Sequence, residues 1–415
     1  MSDPHYIRTR RACYYSYLAM SSVFVFPPML FTTFHETYGI SYTLLGSLML
    51  ANFATQLMVD LLFTFFSRLF NIRLCVRVMP LLTATGLTLF ALVPTLWPQW
   101  AAVGLIGSTV IFSVASGLCE VLLSPIIAAI PSEHPDKDMS MLHSLYGWGV
   151  VTVVVVSSAF FALFGTKNWM ILALFWAFLP LVSSVLFWVS PIPPMSLTGE
   201  SGGGTQGGRT VRLALCTICI FLGAAAENTM TGWISSYMEK SLLVPKAVGD
   251  AVGLAMFALL LALTRTLYAR YGRNILKTLL WGMSGAAVCY AVAGCVPNVI
   301  VAFIACIATG ICIAMLWPGT LILMEETVPT PGVTAYALMA AGGDLGAAVV
   351  PQLVGALTDA ISAGDLAANI SATYGIATEQ VGMKMSMLIA ALFLAAGVVL
   401  LLVMRRVIRK PHRAE

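Results

Sequence analysis

The sequence predicts an all-α polytopic membrane protein, with twelve transmembrane helices in two six-helix pseudo-symmetric bundles. Three observations predict it. Hydrophobic residues make up 59% of the 415-residue chain and charged residues only 10%. A soluble domain holds about 45–50% and about 25%, so too few charges remain to cover a wetted surface. Apolar stretches long enough to cross a bilayer recur along the whole chain. Lys and Arg fall on alternate connections, the pattern that orients helical membrane proteins. A β-barrel would instead show alternating segments of about ten residues. The composition also excludes a soluble enzyme, a nucleic-acid binder and a disordered chain.

The spans read as 12–33, 42–66, 75–95, 99–124, 140–164, 168–190, 211–236, 248–268, 275–296, 299–323, 332–358 and 383–405. Met1 to Arg11 is polar and basic. The apolar run after it is too long for a signal-peptide core and reads as the first span. Pro191-Ile-Pro-Pro194 and Gly202-Gly-Gly-Thr-Gln-Gly-Gly208 mark a flexible linker over 191–210. It separates an N-terminal bundle, 1–190, from a C-terminal bundle, 211–415.

With the N-terminus cytoplasmic, the inner segments hold Arg8, Arg10, Arg11, Arg68, Arg73, Arg77, Lys137, Arg209, Arg212, Arg265, Arg270, Arg273, Lys277, Arg405, Arg406, Arg409, Lys410 and Arg413. Only Lys167, Lys240, Lys246 and Lys384 remain outside. A miscount of one helix would scramble this asymmetry. It therefore predicts a multi-pass plasma-membrane (in a bacterium, inner-membrane) protein with both termini and the linker cytoplasmic. The net charge of +4 needs no nucleic acid, because basic loops against the inner leaflet account for it. Cys216-x-x-Cys219 lacks a second Cys/His pair and lies in an apolar helix, so it reads as packing; no metal site is expected.

The halves echo each other. Ser67-Arg-Leu-Phe-Asn-Ile-Arg73 follows span 2, and Tyr268-Ala-Arg-Tyr-Gly-Arg-Asn274 follows span 8. Gly147-Trp-Gly149 in span 5 answers Gly342-Gly-Asp-Leu-Gly346 in span 11, and Pro125 answers Pro318. A duplicated six-helix unit is the usual basis of alternating access.

On these features the chain resembles the major facilitator superfamily of secondary transporters, over about residues 12–405. The superfamily's loop motif, Gly-x-x-x-Asp-Arg-x-Gly-Arg-Arg, survives in its second copy as Arg270-Tyr-Gly-Arg273, with Ala269 at the acidic position. In the first copy Arg68 takes the acidic position and Asn71 the glycine. The resemblance implies a gating role for Arg68, Arg73, Arg270 and Arg273. Gly117-Leu-Cys-Glu-Val121, Leu142-His-Ser-Leu-Tyr-Gly-Trp-Gly149 and the segment from Gly223 to Tyr237 are similar to the fucose and glucose permease-like branch. That likeness implies sugar or proton handling at Glu120. The acid that members of the branch often carry in their first helix has no counterpart within 12–33. The resemblance also implies a functional monomer.

Ionisable residues inside spans are costly and mark pathways by default. Glu120 lies deep in span 4. Burial favours the neutral form of a carboxylate, which suits a group that gains and loses a proton in each cycle. A permanently protonated structural acid is the alternative. Asp344, between glycines in span 11, is either a second carrier of a proton or cation or a helix-packing acid. Glu227 and Asn228 head a polar run through Thr229, Thr231, Trp233, Ser235 and Ser236. Carboxylate, amide and indole suit a hydroxyl-rich solute, though amino acids or drugs use the same groups. Asn52, Gln56 and Asp60 recur every fourth residue on one face of span 2, where they line a cavity or a polar helix contact. Asp60 also sits near Arg68 and Arg73, within reach of a gating ion pair. His143, one turn into span 5, changes charge near neutral pH and suits a proton relay or a structural bond. Tyr146 follows as cavity lining.

No Gly-x-x-x-x-Gly-Lys-Ser/Thr appears, so ATP does not drive the protein directly, and no hydrolase or zinc-protease motif is present. The loops 191–210 and 360–382 carry no catalytic cluster, and no channel filter is visible. The function expected is proton-coupled symport of a small polar solute, a sugar or related compound, with no cofactor. The alternatives are a proton-coupled antiporter exporting drug-like compounds or metabolites, a sodium-coupled symporter, and a solute sensor that has lost transport.

Overall fold

A computed structural model describes residues 6–40, 42–195, 206–245, 249–328 and 331–409. Most of the expected linker, 196–205, lies outside the described residues, as do Lys246, Lys410 and Arg413. The described residues are helical with no β-strand among them. They group into two units, one within Met1–Glu200 with Thr330–Ala341, the other within Ser201–Pro329 with Gly342–Glu415.

The first unit carries α1 (Ile7–Met29), α2 (Phe31–Tyr38), α3 (Tyr42–Phe66), α4 (Ile72–Leu96), α5 (Ala101–Ala129), α6 (Pro135–Phe164) and α7 (Trp169–Trp188). Helix α4 packs on α5 and α7, α3 packs on α5, and α1 packs on α5, α6 and α7. The second unit carries α8 (Gln206–Ser236), α9 (Ala255–Tyr271), α10 (Ile275–Cys295), α11 (Val299–Ile313), α12 (Leu316–Thr327), α14 (Asp365–Tyr374) and α15 (Thr378–Arg409). Between α12 and α14 runs α13 (Gly332–Ser362), which groups with the first unit up to Ala341 and with the second from Gly342. In the second unit α10 packs on α11 and α15, α9 on α11, and α8 on α12.

Among the described residues, eleven segments are long and apolar enough to cross a membrane. Helix α1, the first expected span, is not among them. Its Ser16, Tyr17, Ser21 and Ser22 dilute its hydropathy, and all four are buried against neighbouring helices. Large apolar side chains point outward instead: Phe65 is 72% and Trp281 79% exposed. Such a surface suits acyl chains rather than water.

Local chemistry explains where the helices start. Asn71 accepts a hydrogen bond from the Leu74 amide and Asn274 from the Lys277 amide, at 3.2 and 3.0 Å. These N-caps open the third span of each half. The echo between the two loops is thus also an echo of capping. Asn298 caps α11 through the amides of Ile300 and Val301. Asp138, in the first turn of α6, is held by Arg10 at 3.4 Å and by the Tyr14 hydroxyl at 3.1 Å. Arg212 donates to the Thr327 carbonyl at the end of α12, at 2.9 Å, where a helix leaves acceptors unmet.

Several boundaries differ from the sequence reading. Residues 206–210, expected in the linker, already belong to α8, because one glycine pair does not outweigh the following helical run. The loop expected over 360–382 contains α14, closed by Gly375 in the left-handed region at φ +67°. The tenth span is two helices, interrupted at Ala314 and Met315 ahead of Pro318. Arg265, counted with the inner basic loop, is 2% exposed inside α9. Lys240 pairs with Glu379 at a surface where both are about half exposed, so the bridge adds little. The Glu379 carboxylate raises the Lys240 pKa. Whatever the bridge contributes is present at neutral pH and is lost as pH rises through that raised value.

Candidate functional site

In the first unit three helices bring polar groups together. Ser124 lies one turn after Glu120 on the same face of α5. Its hydroxyl is 3.5 Å from His143 Nε2 on α6 and 3.4 Å from the Tyr17 hydroxyl on α1. The Tyr17 and His143 rings meet edge-on, with centroids 5.1 Å apart. Tyr17, Ser124 and His143 are buried, and Glu120 is half-buried. Tyr146, one turn from Leu142, packs its ring edge-on against Phe24.

A second network joins α3 to α5. Gln56 Nε2 donates to Asn52 Oδ1 at 3.2 Å, and the Ser113 hydroxyl donates to the same oxygen at 2.5 Å. The helices approach closely because Gly117 faces Val59 and the Gln56 backbone, where a Cβ would lie 3.0 Å from the Val59 Cβ. Gln56 Oε1 is buried with no hydrogen-bond partner among the described residues. Asp60 is fully buried one turn further along α3. Arg68 and Arg73 are exposed, as are Arg270, whose guanidinium lies 5.4 Å over the Tyr271 ring, and Arg273.

The second unit holds a partly buried ion pair. Arg265 Nη2 is 2.8 Å from Glu227 Oε2, and Arg265 Nε donates to the Ala314 carbonyl at 2.7 Å. Proline explains the second bond. Pro318 has no amide hydrogen, so the Ala314 carbonyl four residues earlier loses its helical partner. Arg265 supplies the missing donor. Gly223, one turn before Glu227, lets α8 sit against the break: a Cβ there would be 2.7 Å from the Leu316 Cβ. Asn228 is turned back onto its own helix, donating to the Ala224 carbonyl at 3.0 Å. Trp233 Nε1 donates to the Pro351 carbonyl on α13 at 3.1 Å. Asp344 is 4% exposed on α13.

Four participants were not singled out in the sequence: Tyr17, Ser113, Ser124 and Arg265. Ser124 carried a signal, its four-residue spacing from Glu120. Tyr17 lay in the polar tyrosine-serine run that lowers the hydropathy of α1. Arg265 was hidden by its nearness to the basic residues of the following loop.

Long apolar helices that carry paired and networked polar side chains within each unit are the pattern of a helical membrane carrier. The chain belongs to the Major Facilitator Superfamily, whose model matches residues 15–351. Its fold is similar to that of the Escherichia coli fucose:proton symporter FucP (N162A), with a TM-score of 0.72 at 13% identity over 96% of this chain and 99% of that one. It is also similar to the proton:xylose symporter XylE bound to 6-bromo-6-deoxy-D-glucose, with a TM-score of 0.74 at 14% identity over 95% and 96%. The human organic anion transporter MFSD10 (TETRAN) is similar at 0.72 and 13% over 96% and 100%. No curated protein sequence matches the chain.

Proposed function

We propose that this protein is a secondary active transporter that imports a small polar solute, a sugar or related compound, together with protons. The observation that carries the reading is the Glu120–Ser124–His143–Tyr17 group. It sets a membrane-embedded carboxylate one helical turn from a hydroxyl that contacts an imidazole. Glu120 takes the coupling proton, and His143 exchanges it through the Ser124 hydroxyl. Asn52 and Gln56, with one amide oxygen unmatched, offer acceptors and donors to solute hydroxyls. Asp60, Asn228, Trp233, Tyr146 and Asp344 complete the polar inventory. The similarity to two proton-coupled sugar symporters supports this choice, as does the resemblance of Gly117-Leu-Cys-Glu-Val121 to a segment of the fucose and glucose permease-like branch. In this reading the protein works as a monomer in the plasma membrane with both termini cytoplasmic. Arg68, Arg73, Arg270 and Arg273 serve the gates, and the proton is the coupling ion. Transport follows when solute and proton stabilise one state more than the other.

The test is reconstitution in proton-tight vesicles containing a lumenal pH dye. Addition of the right sugar should change lumenal pH, and Glu120→Gln should reduce that change at least tenfold while leaving solute binding measurable. Solute uptake with no pH change in the unmodified protein would refute proton symport and favour a sodium-coupled or uniport cycle.

A further inference from the structure

We infer that Arg265 recognises an anion, and that the solute is a small hydroxylated carboxylate such as a sugar acid, whose carboxylate replaces that of Glu227 on the guanidinium. The inference rests on the transporter reading above and narrows its substrate class.

A guanidinium inside a membrane helix is costly, and the break at Ala314 calls for one donor, whereas Arg265 presents a whole fork. Arg265 is nonetheless 2% exposed within α9. Glu227 is not its only anchor. The Nε–H is held by the Ala314 carbonyl at the helix break, which fixes the plane of the fork. Fixed forks are suited to carboxylates. Glu227 occupies that fork at 2.8 Å, and the two partners are unequally covered, with side-chain exposures of 3% for Arg265 and 17% for Glu227. The carboxylate is therefore the less covered side of the pair, the side on which a solute would arrive. Glu227 is an internal copy of the ligand group: same charge, same two oxygens, removable without dismantling the arginine's other anchor. The Thr231 hydroxyl, exposed one turn along α8 on the same face, donates to the Glu227 carbonyl at 2.7 Å and offers its oxygen as an acceptor to a solute hydroxyl.

The experiment measures binding of galactose and galacturonate to the full-length protein in neutral phosphatidylcholine vesicles, so that the solute is the only added anion. Galacturonate should bind at least tenfold more tightly than galactose. Arg265→Lys keeps the charge but loses the fork and should reduce that preference at least fivefold. Glu227→Gln removes the internal competitor, keeps an acceptor for Arg265 and should bind galacturonate at least threefold more tightly than the unmodified protein. A merely structural pair would weaken both ligands together in both variants. Equal affinity for the two sugars, or weaker galacturonate binding in Glu227→Gln, overturns the inference. Transport of galactose with no response to galacturonate overturns it while leaving the transporter reading intact. No binding of either overturns this inference and the sugar reading together.

Discussion

Replacing Arg265 with methionine is expected to lower the thermal midpoint of the purified protein sharply. Two losses combine. Glu227 is left facing an apolar side chain without its partner, and removing one member of a buried pair costs up to about 3–5 kcal/mol. The Ala314 carbonyl, already deprived of an amide by Pro318, loses the Arg265 Nε donor that meets it. An unmet buried acceptor adds about 1–3 kcal/mol. The double variant Arg265→Met with Glu227→Gln should recover most of the first loss and none of the second. Midpoints for the four proteins, followed by tryptophan fluorescence in detergent, give the coupling between the residues. Additive effects of the two substitutions would mean that the pair is not an energetic unit.

Gly346→Val is expected to abolish recovery of folded protein. On α13 a Cβ at this position would run into the carbonyl oxygen, carbonyl carbon and Cα of Phe221 on α8. These are backbone atoms and cannot rotate away, so the helices must separate. Gly342, one turn earlier, faces the Thr217 side chain, where a Cβ would lie 2.6 Å from Cγ2. Small residues four apart permit this close approach, and in lipid the contact is held by packing rather than by exclusion of water. The monodisperse fraction on size exclusion should fall at least tenfold for Gly346→Val. Gly342→Ala, which meets a rotatable side chain, should fall by less. Unchanged recovery of Gly346→Val would show that α8 and α13 do not need this contact.

Much of this architecture was legible because a bilayer enforces it. Helices must satisfy every backbone group internally, so length and hydropathy read directly as spans. The α3 boundaries, Tyr42–Phe66, coincide with the expected span. Legibility failed where polar residues work inside the membrane. Arg265 looked like a loop cation because its partner is distant in sequence and the acceptor it needs is a backbone carbonyl that only the fold exposes. The interruption at Ala314 was foreshadowed by Pro318, but proline alone does not say which donor repairs the break. Asn52 and Gln56 were placed on one face by spacing, and the fold joins them directly. Ser113 entered only with the packing of α5 on α3.

The repaired break at Ala314 also bears on descent. A lineage that exchanges Pro318 for a residue with an amide gives the helix its own donor back and releases Arg265 from one of its two anchors. Selection on position 318 then depends on what occupies position 265, although the two lie in different helices and do not follow each other in the chain. Such positions are expected to drift together or not at all, so this backbone carbonyl, which no codon specifies, links the fates of two that are specified.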